Sequence, residues 1–259
     1  MKLFIAIFLC FSSTVFAREP ALMKWTVEGT EREALVFAPE VPSKAKAPVV
    51  LAFHGHGGNM RFAARGMHFQ DAWPEAVVVY LQGLPTAGFI LDQKGVRPGW
   101  QHDAGQLNDR DLKFVDAVLA TLREKYSVDE RRIYATGFSN GGLFTYLLWA
   151  QRPNVFAAFA PGGAVILPTV RVTQPRSALH FGGERDRLAR FAKQQETIEQ
   201  IRKLNGCAAR GESCGTYCTL YPSSTGTPVE TFIHPSGHFY PPPVTAVIVK
   251  FFQEHPRSP

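Results

Sequence analysis

Gly137-Phe138-Ser139-Asn140-Gly141-Gly142 places a serine between two glycines at Gly-x-Ser-x-Gly spacing. A strand-like run, Ile133–Thr136, precedes it, and a helix-like run begins near Leu143. Glycines two residues to either side let the backbone turn sharply and lift the hydroxyl above a sheet. The N-terminus of the following helix then offers positive potential to an oxyanion. Ser139 therefore reads as a nucleophile. The plain alternative is a Gly-rich turn, which does not account for both flanks.

A serine nucleophile needs a base, and the base needs an orienting carboxylate. In strand–turn–helix sites of this kind the chain order is Ser, then acid, then His. After Ser139 the histidines are His180, His234, His238 and His255. His238, in Ser236-Gly237-His238, follows the Val229–Ile233 strand in the kind of loop where open sheets carry ligand-facing residues. His234 is the runner-up, His180 lies inside a strand and His255 in the tail. For the acid, Gly182-Gly183-Glu184-Arg185-Asp186 follows the Ala178–Phe181 strand, with Asp186 preferred and Glu184 the alternative. His54-Gly55-His56-Gly57-Gly58 follows the buried-type run Val49–Phe53. Such a loop supplies the second oxyanion donor, so the backbone N–H groups of His56 and Asn140 are the expected pair, with Gly57 as the alternative to His56. The two histidines could instead hold a metal. Their i, i+2 spacing with no nearby acidic ligand disfavours that, and neither metal nor cofactor is expected.

These residues need a frame. Trp25–Phe37 reads as a hairpin around Gly29-Thr30, and Val49–Phe53 and Ala76–Leu81 as strands buried on both faces. Helical periods run over Arg61–Asp71, Asp111–Tyr126, Leu143–Ala150, Leu188–Leu204 and Val244–Phe252. Strands are expected at Arg132–Thr136, Val155–Ala160, Ala178–Phe181 and Val229–Ile233. Alternation of strands and helices predicts an α/β fold with a mostly parallel sheet, helices on both faces and an N-terminal antiparallel hairpin. Gln82–Asn108 is a long Gly/Pro-rich loop, too short for a large lid domain.

Length and composition agree. The 259 residues are 45% hydrophobic and 19% charged, which excludes disorder. The net charge of +6 forms no basic run, so no nucleic-acid partner is expected. Met1-Lys2, an apolar run Leu3–Phe11 and a small-residue end at Ala17 read as a signal peptide over 1–17, leaving 18–259 as one domain. That run is too short to span a bilayer, so no stable membrane anchor is expected, and the predicted location is secreted or periplasmic. Cys207, Cys214 and Cys218 remain after cleavage, within twelve residues, and in an oxidising compartment at most one intramolecular bridge is expected, with any pairing open.

Taken in order, the motifs His54–Gly58, Gly99-Trp100-Gln101, Tyr134–Gly142, Gly183–Asp186 and Gly237-His238 resemble those of secreted α/β-hydrolases. The group is that of polyhydroxybutyrate depolymerases and feruloyl and acetylxylan esterases, akin to carbohydrate esterase family 1. The resemblance runs over roughly 45–254. It implies a serine esterase with Ser139, Asp186 and His238 as triad, acting through an acyl-enzyme on feruloyl or acetyl esters of plant polysaccharide. A polyester depolymerase or a peptidase on the same scaffold is the alternative, and a binding protein that kept the fold is the last. It also implies a Cys207–Cys218 disulfide with Cys214 free. The chain departs from the group in having Phe239-Tyr240 after the base and Arg190-Phe191 after the acid loop, which bears on substrate. Trp100, and with it Phe89, is a candidate to stack on a ring of a polymer-linked ester.

Overall fold

The structure, a computed structural model, describes residues 19–39, 45–89 and 91–258; the expected signal segment 1–17 lies outside them. Strands β1 (Ala21–Val27) and β2 (Thr30–Phe37) form the N-terminal hairpin, turning through Glu28 and Gly29 at positive φ. There follow β3 (Ala47–Phe53), helices α1 (Met60–Met67) and α2 (Phe69–Ala72), and β4 (Val77–Leu81). Next come a two-residue ribbon of β5 (Leu84–Pro85) with β6 (Pro98–Gly99), α3 (Arg110–Lys125) and β7 (Val128–Phe138). The chain continues through α4 (Asn140–Gln151), β8 (Ala158–Gly162), β9 (Ser177–Gly183) and α5 (Phe191–Leu204). It ends with β10 (Glu212–Gly215), β11 (Cys218–Tyr221), β12 (Val229–His234) and α6 (Val244–Glu254).

Ten strands share one sheet in the order β1-β2-β4-β3-β7-β8-β9-β12-β11-β10. The six central strands, β4 to β12 in that order, are parallel, and an antiparallel hairpin closes each edge. This is the α/β-hydrolase fold. Alternation along β3 and β4 shows how two cores arise. Val49, Leu51 and Phe53 face one cluster with Leu112, Val115 and Leu148, whereas Val50 and Ala52 face another with Met60, Ile248 and Phe252. Helix α4 is apolar on all sides and buried over most of its length, as a helix inside a core must be. Among the described residues no helix is long and apolar enough to cross a membrane.

The stretch expected as a loop at 82–108 is a braced segment. Asp92 accepts from the backbone N–H groups of Val96 and Arg97, and Arg110 donates to Pro85 O and Thr86 Oγ1. Behind it, the Arg32 guanidinium meets Asp111 at 2.7 Å with both side chains buried, and Asp111 also accepts from the backbone of Gln101. A buried pair of this kind leaves an unpaired charge if either partner is removed, so it fixes the hairpin against α3 and the 100–111 segment.

The cysteines differ from expectation. Cys214 and Cys218 are joined, and Cys207 is free. The stretch between α5 and β12 contains a hairpin, β10–β11, whose turn faces Gly215 with Cys218 and brings the Cα atoms of Cys214 and Cys218 to 5.1 Å. Cys207 instead bridges to Ser223, five residues further along the chain from Cys218. At about 3.3 Å per extended residue that offset is more than a disulfide can span.

Glu230, on the neighbouring β12, is 8% exposed, with Oε1 3.1 Å from Cys218 Sγ. Burial, aided by Glu254 and opposed by Lys250, pushes its carboxyl up from 4.5 to about 7. The folded state therefore holds this proton more tightly than the unfolded chain, and stability falls as pH rises from the unfolded value through the folded one. Glu230→Gln keeps the side chain neutral at every pH. It should add about 2 kcal/mol at pH 8 and close to nothing at pH 4, read as denaturant midpoints. An equal gain at both pH values would show that charge is not the cause.

Candidate active site

Ser139 stands at the C-terminal end of the central strand β7, at φ 59 and ψ −120, and caps α4. Such a backbone is reserved for places where the surroundings enforce it. A Cβ at Gly137 would lie 2.4 Å from Gly141 O, and one at Gly141 would lie 2.2 Å from Phe53 O. Both glycines are therefore demanded by close packing around the turn. Ser139 N–H donates to Gly162 O at 2.8 Å, tying the turn to β8.

Asp186 and His238 arrive from two strands further along the sheet, beyond β8. Asp186 follows β9 and His238 follows β12, which pair in parallel. Backbone bonds zip the two loops together: Glu184 N–H to His234 O at 2.9 Å and Arg185 N–H to Ser236 O at 3.0 Å. Gly183 permits this, since a Cβ there would lie 2.3 Å from Ser236 O. The Ser139 hydroxyl meets His238 Nε2 at 2.9 Å, and His238 Nδ1 meets Asp186 Oδ2 at 2.7 Å. With the proton on Nδ1 donated to the carboxylate, Nε2 is free to accept from the serine. Asp186 is almost fully buried, and its Oδ1 accepts from the N–H groups of Leu188 and Ala189 at 2.9 Å each. Phe138 packs its ring 4.7 Å from the imidazole.

The alternatives fall elsewhere. His234 is buried, accepts from Ser236 N–H, packs against Phe239 and makes no contact with Ser139. Burial lowers its basicity, partly offset by Asp186. Glu184 is exposed. His180 is fully buried and held neutral, with a pKa pushed down to about 4 by desolvation.

The oxyanion candidates also sort by hydrogen bonding. Asn140 is the first residue of α4, so its N–H has no partner within the helix. The Asn140 side chain clamps Trp100, accepting from its N–H at 2.7 Å and donating to its carbonyl at 3.1 Å. The His56 N–H makes no hydrogen bond to the described residues, whereas Gly57 N–H is spent on Pro98 O at 2.7 Å. Gly55 brings this loop against the elbow: a Cβ on it would lie 3.4 Å from Ser139 Cβ. The His56 ring meets Asp92 at 3.1 Å, anchoring the loop to the braced segment. The His54 ring faces Gly55 O and Gly83 N–H instead, and burial lowers its pKa to about 4. The two imidazoles have separate partners and do not converge on a common point.

Trp100 is not a substrate contact. It is fully buried, stacks on Phe144, meets Phe53 edge-on, and donates its indole N–H to His54 O at 2.9 Å. The β6 strand turns the ring inward beneath the His54–Gly58 loop, where it supports that loop from behind. Exposed apolar side chains near the site are Phe89, stacked on His102, and Leu188 and Phe239, close in sequence to Asp186 and His238. Tyr240, by contrast, turns inward: it contacts Phe181 and Phe138 edge-on and bonds Thr245 through its hydroxyl.

Comparison with known proteins gives a consistent set of neighbours. A family model described as the prolyl oligopeptidase family matches residues 99–180. The chain is 24% identical over 193 residues to a bifunctional acetylxylan esterase/xylanase of Neocallimastix patriciarum, covering 73% of this chain and 26% of that protein. It is 26% identical over 196 residues to a probable feruloyl esterase C of Aspergillus clavatus, covering 73% of this chain and 67% of that one. The chain thus spans about a quarter of the first relative's length. Among solved structures, an acetyl xylan esterase from Aspergillus awamori superposes with a TM-score of 0.66 at 14% identity, over 90% of this chain and 99% of that one, a likeness of fold.

Proposed function

We propose that this α/β-hydrolase, whose relatives include feruloyl and acetylxylan esterases, is a serine carboxylic-ester hydrolase. The observation that carries the reading is the unbroken hydrogen-bonded line from Ser139 through His238 to Asp186, beside two N–H groups, on Asn140 and His56, that have no partner among the described residues. In this reading Ser139 attacks the ester carbonyl as His238 takes its proton. The Asn140 and His56 N–H groups hold the oxyanion, and His238 returns the proton to the leaving alcohol. Water, activated by the same imidazole, then releases the acid. Asp186 keeps the imidazole in the right tautomer and stabilises its charged form.

The substrate class proposed is a feruloyl or acetyl ester on plant polysaccharide, met outside the cytoplasm after removal of residues 1–17. Phe89, Leu188 and Phe239 supply exposed apolar surface for an acyl group or sugar face. A peptidase is the second reading, favoured by the family match. That match ends at residue 180, before both Asp186 and His238, and so rests on the elbow half of the site. Initial rates should be measured on methyl ferulate, acetylated xylan, a polyhydroxybutyrate film and a peptide anilide. The highest kcat/KM is expected on one of the first two. Faster cleavage of the film or the anilide would overturn the substrate assignment.

A further inference from the structure

A buried chain of hydrogen bonds continues past Asp186. Gln194, in the first turn of α5 and fully buried, donates from Nε2 to Asp186 Oδ2 at 3.1 Å and to Ala189 O. Its Oε1 faces His180 Nε2 at 3.0 Å, and His180 Nδ1 faces the Tyr146 hydroxyl at 2.7 Å. Only one arrangement of protons satisfies all of these contacts. Two oxygens beside Nε2 require it to be the amide NH₂, so Oε1 must accept. His180 must then carry its proton on Nε2, and its bare Nδ1 must accept from Tyr146 O–H. A neutral His180 is what burial imposes. Space for Gln194 is made by Gly182, where a Cβ would lie 2.1 Å from its Oε1.

We propose that Gln194 is a positioning residue for the triad, its amide locked by His180 and Tyr146 so that an N–H always points at the Asp186 oxygen that orients His238. The proposal rests on the serine-hydrolase reading and deepens it. Asp186 Oδ2 serves two donors, His238 and Gln194. The amide fixes the carboxylate's rotation and draws off part of its negative charge, and so limits how strongly Asp186 favours the imidazolium. Without the lock, a His180 tautomer with the proton on Nδ1 would present a lone pair to Oε1. A flip would set Oε1 against the Asp186 and Ala189 oxygens, so Gln194 would relieve the repulsion by rotating out of line, which weakens its N–H bond to Asp186.

Two variants test this. Gln194→Ala should lower kcat about 10- to 100-fold with KM nearly unchanged. It should also move the acid limb of the kcat/KM pH profile upward, because a less shared carboxylate makes His238 more basic. Tyr146→Phe keeps the buried ring and deletes only the hydroxyl, so it tests the chain without a cavity. It should shift the limb in the same direction by a smaller amount. The downfield proton of the His238–Asp186 hydrogen bond, followed by ¹H NMR, should move in both variants. A loss of thermal stability with the pH limb and that proton unmoved would make Gln194 a core residue only and overturn the proposal. If the wild-type chain hydrolyses no ester at all, the esterase reading falls. The NMR proton then still decides whether Gln194 is coupled to His238.

Discussion

Ser139→Ala should lower ester hydrolysis by a factor of about 10⁴ or more, and the protein should still fold. The substitution deletes one oxygen and leaves the backbone N–H groups of Asn140 and His56 in place, so ester binding and oxyanion stabilisation survive while covalent catalysis does not. A residual rate of about a tenth of wild type would remove Ser139 from its role, since triad members act as a unit. A pre-steady-state burst of p-nitrophenol from p-nitrophenyl acetate reports the acyl-enzyme directly. The burst should be present in the wild type and absent in the variant.

The second large effect separates the two histidines after β12. His238→Ala should match Ser139→Ala, because it removes the only imidazole in contact with the serine hydroxyl among the described residues. His234→Ala should keep most of the turnover, although it opens a void beside Phe239. Asp186→Asn should cost on the order of 10⁴-fold, because an amide presents an N–H where His238 needs an acceptor and so favours the wrong tautomer. Glu184→Gln changes an exposed side chain and should leave kcat near wild type. The reverse ranking within either pair, in kcat on one ester, would reassign the base or the acid.

How much of this was readable depended on how directly local physics constrained each residue. The elbow was legible because two glycines are forced by contacts under 3 Å, and such forcing leaves a spacing in the chain. The central strands were legible because burial on both faces produces uninterrupted apolar runs. The β10–β11 hairpin was not, since an edge ribbon such as Glu-Ser-Cys-Gly needs no apolar alternation. The resemblance-based cysteine pairing failed with it. The inward direction of Trp100 was not legible, because an aromatic in an irregular stretch has no period to say which way it faces. Gln194 does leave a trace in the chain: the buried face of α5 is Gln194, Thr197, Ile198 and Ile201, at i, i+3, i+4 and i+7. Polar residues on half of a core-facing stripe require polar partners inside.

The conformation of Ser139 has an evolutionary consequence. A non-glycine residue held at φ 59 and ψ −120 costs about 1–3 kcal/mol, and the rest of the fold carries that cost whether or not substrate is bound. Glycine at 139 would relax it. Heat tolerance and turnover therefore oppose each other at this one position, and selection for robustness alone would favour the residue that cannot react. Inactive descendants of such a chain would be expected to arise as better-folded proteins rather than as damaged ones, with their sheets, loops and partner histidine intact.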